Sequence, residues 1–216
     1  MTLKQNIDEM QKKNFKGMSE EIMRIFQEAT EKLIASGLAK KSLKKGDRIP
    51  EFTLPTIHGK VVSSKILLKK GPLVISFTRG SWCSYCNLEV AALQKVYSEI
   101  KNLGAELISI SPSRVEKYSE METKHFLTFN LLSDKKNKVA KKFGLVFELD
   151  EKLRPLYKQM GIDIPEHNGD NSFELPIPAT YIVNREGEII YSYVNPDYTK
   201  RAEPSEIESF LKDSKH

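Results

Sequence analysis

The chain has 216 residues, 39% of them hydrophobic, and 34 Lys and Arg against 29 Asp and Glu give a net charge of +5. That apolar content builds a core and excludes global disorder, and the length suits one large α/β domain or one domain with an elaboration. The positive excess does not make a nucleic-acid partner, because the lysines are interleaved with Asp and Glu, as in K-Q-N-I-D-E-M-Q-K-K, and read as solvated helix faces.

The opening residues M-T-L-K-Q-N-I-D-E-M carry no apolar leader pattern or small-residue cleavage site. No stretch reaches membrane-spanning length. The expected compartment is the cytoplasm, with no membrane partner. Residues 1–45 read as a helical extension. Ile22, Ile25, Phe26, Ala29 and Leu33 recur at helical spacing, Ser19 is a suitable N-cap and Gly37 a stop, and a shorter helix is expected before Ser19. The apolar stripe must pack on the chain's own domain or on a partner.

From residue 46 the pattern changes. I-P-E-F-T-L-P, the turn H-G-K and Val61-Val62 form a small hairpin. Leu73 to Phe77 is a strand apolar on both faces. A helix follows, with Cys86, Val90, Leu93, Tyr97 and Ile100 on one stripe and Gly104 at its end. Strands are expected at residues 107–110 and 129–132, with a polar helix at 113–125 between them. The basic run at 135–142 is the polar face of a short helix reaching Phe143. Strand, helix, strand, helix, strand implies a parallel sheet. Residues 145–176 interrupt the rhythm with a helix near 153–160 and a polar loop, E-H-N-G-D-N-S. Two antiparallel strands around N-R-E-G and a last helix at about 204–211 complete a mixed sheet flanked by helices.

Both cysteines, Cys83 and Cys86, lie in S-W-C-S-Y-C, where the first long strand turns into a helix. A helix N-terminus presents free N–H groups and a positive dipole end, which favour a thiolate. In a reducing compartment a C-x-x-C is catalytic or metal-binding rather than a structural staple. Zinc needs four ligands, and neither a second C-x-x-C nor a spaced pair among His58, His125, His167 and His216 supplies them. No metal and no cofactor is expected. Trp82 is expected to shield the sulfurs and shape a docking surface. Arg79 is either a charge near the site or an exposed strand-end residue. Ile177-Pro178-Ala179-Thr180 suggests, by analogy, a cis-proline loop facing the cysteines.

W-C-S-Y-C after a buried strand, with I-P-A-T-Y-I-V before an antiparallel pair, resembles the thioredoxin fold. More narrowly, the chain resembles the peroxiredoxin-like branch of the alkyl hydroperoxide reductase and thiol-specific antioxidant family. The matching stretches include G-D-R-I-P-E-F-T-L-P, G-P-L-V-I-S-F-T-R-G-S-W-C-S-Y-C-N-L-E-V-A-A-L, F-G-L-V-F and D-Y-T-K-R-A-E-P, between about Gly46 and Leu211. The resemblance makes residues 46–213 one thioredoxin-fold domain with an insertion at about 145–176. It implies a thiol peroxidase acting on hydrogen peroxide or an alkyl hydroperoxide, recycled by thioredoxin or another thiol reductant, with a homodimer as a weak expectation. The family pattern P-x-x-x-T-x-x-C places its attacking cysteine at Cys86, with Cys83 at the threonine position and Arg79 at the proline position. The thioredoxin likeness makes Cys83 the attacker instead. Disulfide exchange without peroxidase activity, or redox sensing without turnover, stays open, as does any role for Asp197-Tyr198-Thr199-Lys200-Arg201.

Overall fold

The structure is a computed structural model and describes residues 1–214. Three helices open the chain: α1 (Leu3–Phe15), α2 (Glu20–Ala35) and α3 (Leu38–Lys41). Thr2 and Gln5 cap α1 reciprocally, and Ser19 caps α2 through the Ile22 N–H. The hairpin is β1 (Thr53–Pro55) with β2 (Val61–Ser63), followed by α4 (Ser64–Lys70). Then come β3 (Leu73–Phe77), α5 (Ser84–Asn102), β4 (Glu106–Ser111), α6 (Val115–His125), β5 (Asn130–Ser133) and α7 (Lys138–Lys142). The interrupting segment holds β6 (Val146–Glu148), α8 (Leu153–Gln159), α9 (Ile164–Asn168) and β7 (Glu174–Pro176). The chain closes with β8 (Ala179–Val183), β9 (Ile189–Val194) and α10 (Pro204–Asp213).

The central sheet has the order β5-β4-β3-β8-β9. β3 pairs parallel with β4 and antiparallel with β8, so the mixed sheet expected from the sequence is present. Every residue of β3 is buried because both faces are covered. Val74 packs towards α5 and α10 with Val90, Leu93 and Ile207, while Ile75 and Phe77 face Phe143 and Tyr181 on the other side.

The helical extension packs on its own chain. Leu3 and Ile7 of α1 join the α5 layer, and the Leu3 and Lys4 N–H groups donate to the Glu203 carboxylate. Phe26 of α2, with Ile22, Ile25 and Ala29, packs on Leu149, Leu153, Tyr157 and Leu175. Two elements differ from the sequence reading. α4 is not among the elements expected from the sequence, although it buries Leu67 and Leu68 and stops at Gly71. The interrupting segment is not merely a helix and a loop, because β6 and β7 pair antiparallel and E-H-N lies inside α9. Three-residue strands carry too short an alternation to stand out.

A Cβ on Gly71 would lie 1.9 Å from the carbonyl oxygen of Gly104, so two backbones touch there. Gly71→Ala should lower stability by about 1–3 kcal/mol or more. Urea denaturation checks this, and an unchanged midpoint would show that the turn relaxes freely.

Candidate active site

The residues between β3 and α5 make the site. Gly80 has φ +141°, and a Cβ there would sit 2.5 Å from the Ser113 hydroxyl and 2.8 Å from the Trp82 ring nitrogen, so only glycine fits. Cys83 is the N-cap of α5 and its sulfur accepts the Cys86 N–H at 3.4 Å. Asn87 ties the turn from below, its amide donating to the carbonyls of Ser81 at 2.6 Å and Cys83 at 2.9 Å. With that NH₂ group committed, the His125 ring nitrogen 2.7 Å away donates to the Asn87 oxygen.

Cys83 and Cys86 are free thiols whose sulfurs lie 2.8 Å apart. Cys83 is 2% exposed and lines a cavity of about 190 Å³, whereas Cys86 is fully buried behind it. Arg79 donates to the Cys83 sulfur at 3.4 Å and to the Tyr157 hydroxyl at 3.4 Å. Its guanidinium lies against the rings of Tyr198 and Trp82, 4.4 and 5.0 Å from their centroids. Arg201 reaches the Cys86 sulfur at 3.5 Å and pairs with the buried Glu89 carboxylate at 2.7 Å. Glu89 in turn accepts the Ser76 hydroxyl at 2.9 Å, and the Arg79 N–H meets the Cys86 sulfur at 3.4 Å.

These contacts divide the two thiols. Burial pushes Cys83 up, but the Cys86 S–H and the charges of Arg79 and Arg201 outweigh it and hold Cys83 well below the ordinary thiol range. Burial pushes Cys86 up, and its hydrogen bond to Cys83 adds to that, so it stays well above that range. Cys83 is therefore the more acidic member of the pair and Cys86 the less acidic.

The structure brings Arg79, Trp82, Cys83 and Cys86 together, and Arg79, left open by the sequence, is buried rather than exposed. The cis-proline expectation is corrected. No cis peptide bond occurs among the described residues, and Pro178 is not part of the cavity wall at Cys83. The chain runs extended from β7 into β8 without a tight turn, so the ordinary trans preference holds. Tyr157, Glu89 and Arg201 were not assigned from sequence. The run D-Y-T-K-R was the available signal for Arg201, and C-N-L-E, one helical turn beyond Cys86, was the signal for Glu89.

Cys83 should be alkylated by iodoacetamide first, with a pH midpoint well below that of a free thiol. Arg79→Met removes positive charge and raises that midpoint, so alkylation at a pH below both midpoints should slow by about ten-fold per unit of rise. Mass spectrometry of the labelled cysteine reads both. Preferential labelling of Cys86 would reverse the assignment.

Comparison with known proteins agrees with this geometry. Residues 45–192 match the family model described as the AhpC/TSA family. The chloroplastic peroxiredoxin Q of Oryza sativa subsp. japonica is 30% identical over 154 residues, covering 71% of this chain and 60% of that protein. Peroxiredoxin Bcp of Escherichia coli is 31% identical over 103 residues, covering 48% of this chain and 65% of that protein. The chain thus spans somewhat less than two thirds of the length of these relatives. The crystal structure of the peroxidoxin BcpB from Mycobacterium tuberculosis superposes with a TM-score of 0.62 at 19% identity, over 79% of this chain and 97% of that one. With a mixed sheet of the thioredoxin type and a C-x-x-C at its first strand-to-helix turn, the chain belongs to the AhpC/TSA family, in its peroxiredoxin branch.

Proposed function

We propose that the protein is a thiol-dependent peroxidase in which Cys83 attacks and Cys86 resolves. The observation that carries this is the division of the pair: a cavity-lining Cys83 thiolate held by Arg79, with the Cys86 thiol 2.8 Å behind it. The Cys83 sulfur bonds to one peroxide oxygen, the O–O bond breaks, and the other oxygen takes a proton from solvent and leaves as water or an alcohol. Cys83 is then a sulfenic acid. The Cys86 sulfur bonds to it, the S–O bond breaks, water leaves, and a Cys83–Cys86 disulfide remains. Thioredoxin or another thiol reductant reopens it. Arg79 and the Tyr157 hydroxyl stand where charge develops on the departing oxygen, in place of the threonine of the family pattern. Cys86 suits the resolving role because it is buried and protonated.

The substrate is hydrogen peroxide or an alkyl hydroperoxide, in keeping with the names of the relatives, and the working compartment is a reducing one such as the cytoplasm. No helix among the described residues is long and apolar enough to cross a membrane. Residues 46–213 are read as the thioredoxin-fold domain, with 1–45 as its extension. Pairing into a homodimer rests on family likeness. Disulfide exchange is the second reading, favoured by the thiol that stands where the family carries a hydroxyl.

Trp82 adjoins Cys83 and reports its oxidation. Mixing reduced protein with hydrogen peroxide in a stopped-flow should give a fluorescence phase linear in peroxide. Cys83→Ser should abolish it, and Cys86→Ser should leave a sulfenic acid that dimedone traps. A rate no better than that of a free thiol, with fast oxidation by a disulfide instead, would favour exchange.

A further inference from the structure

The wall of the Cys83 cavity is not made by the thioredoxin-type domain alone. Asn14 and Phe15 at the end of α1, Met18 in the following link and Phe26 of α2 line it together with Tyr157 and Met160. The two ends of α1 are held differently. Its start is fixed by the buried Leu3 and Ile7 and by the Glu203 carboxylate. Its end is exposed from residue 12 to residue 17, and Gly17 at φ +95° has open space around it. This end is tied to the site through the polar contact of the Gln11 and Asn14 side chains with Tyr85. Tyr85 is itself one of the two residues between the cysteines.

Two reactants must reach this site if the redox reading above holds, and this inference rests on that reading. A small hydroperoxide fits a cavity of about 190 Å³. A protein dithiol must bring its sulfur in line with the Cys83–Cys86 bond on a broad surface. With Cys83 2% exposed and Cys86 fully buried, Asn14, Phe15 and Met18 on the cavity wall stand in that path.

We propose that residues 11–18 form a strap that sorts reactants by size, with Phe15 and Met18 as its specificity-determining side chains. A small hydroperoxide or thiol reaches Cys83 with the strap in place, and a protein reductant reaches the disulfide only when the strap has swung away from Tyr85. The apparent rate with a protein is then lowered by the fraction of time that the strap is open.

The test starts from protein oxidised with diamide, so it does not depend on reaction with peroxide. Rate constants for reduction by dithiothreitol and by a bacterial thioredoxin are measured for the full chain, for Phe15→Ala with Met18→Ala, and for Gln11→Ala. The thioredoxin-to-dithiothreitol ratio should rise by about ten-fold in the double variant, and by a smaller factor in Gln11→Ala, which releases only the fastening. If the double variant folds poorly, Gln11→Ala alone decides. A ratio unchanged in the folded variants overturns the strap. Failure of the peroxidase reading shows separately, as a slow stopped-flow phase with peroxide.

Discussion

A cation taken out of water needs an anion, and the site is organised by that requirement. Arg79 is buried, and no carboxylate lies within ion-pair distance of it among the described residues. Two aromatic faces, a phenol and the Cys83 sulfur are what it meets. Burial disfavours the charged guanidinium, yet the sulfurs and phenols around it hold its pKa well above the usual value. The counter-charge is the thiolate itself. Arg201 is different, because Glu89 already balances it. Two guanidiniums, one carboxylate and two sulfurs lie together in the interior, and the positive charges favour ionisation of Cys83, while burial and the Cys83 sulfur hold Cys86 up.

The fold serves this arrangement by bringing distant residues to one helix end. β3 delivers Arg79, α5 supplies both cysteines and Glu89, α8 carries Tyr157, and the segment after β9 returns Tyr198 and Arg201. The dipole of α5 and its unpaired N–H groups add to the positive field at Cys83. Rigid support comes from below, where Asn87 and His125 hold the turn and β3 is covered on both faces.

Much of this was legible because it is local. A continuous apolar run, then Arg-Gly-Ser-Trp-Cys, then a helical stripe through Val90 and Leu93 places two thiols at a helix start without any knowledge of the rest of the chain. The basic run at 135–142 likewise proved to be short helical turns burying Val139 and Ala140. What was not legible comes from far away in the chain. Arg201 meets Cys86 across 115 positions, and Tyr157 meets Arg79 across 78. Side-chain periodicity carries no information about such meetings. The difference in acidity between the two cysteines belongs here too, since burial and remote charge set it. The proline analogy failed for a related reason: a motif names a residue type, while the isomer follows from the path that the neighbouring strands impose.

The unpaired state of Arg79 has a consequence for energy storage in the disulfide. When the Cys83–Cys86 bond closes, both sulfurs become neutral and the guanidinium between Tyr198 and Trp82 loses its only counter-charge. The oxidised form therefore carries a buried, uncompensated cation that the reduced form does not. That difference stabilises the dithiol and raises the reduction potential of the pair, as in other C-x-x-C sites with a strongly acidic thiol. The same guanidinium that makes Cys83 acidic thus works against the closed Cys83–Cys86 disulfide.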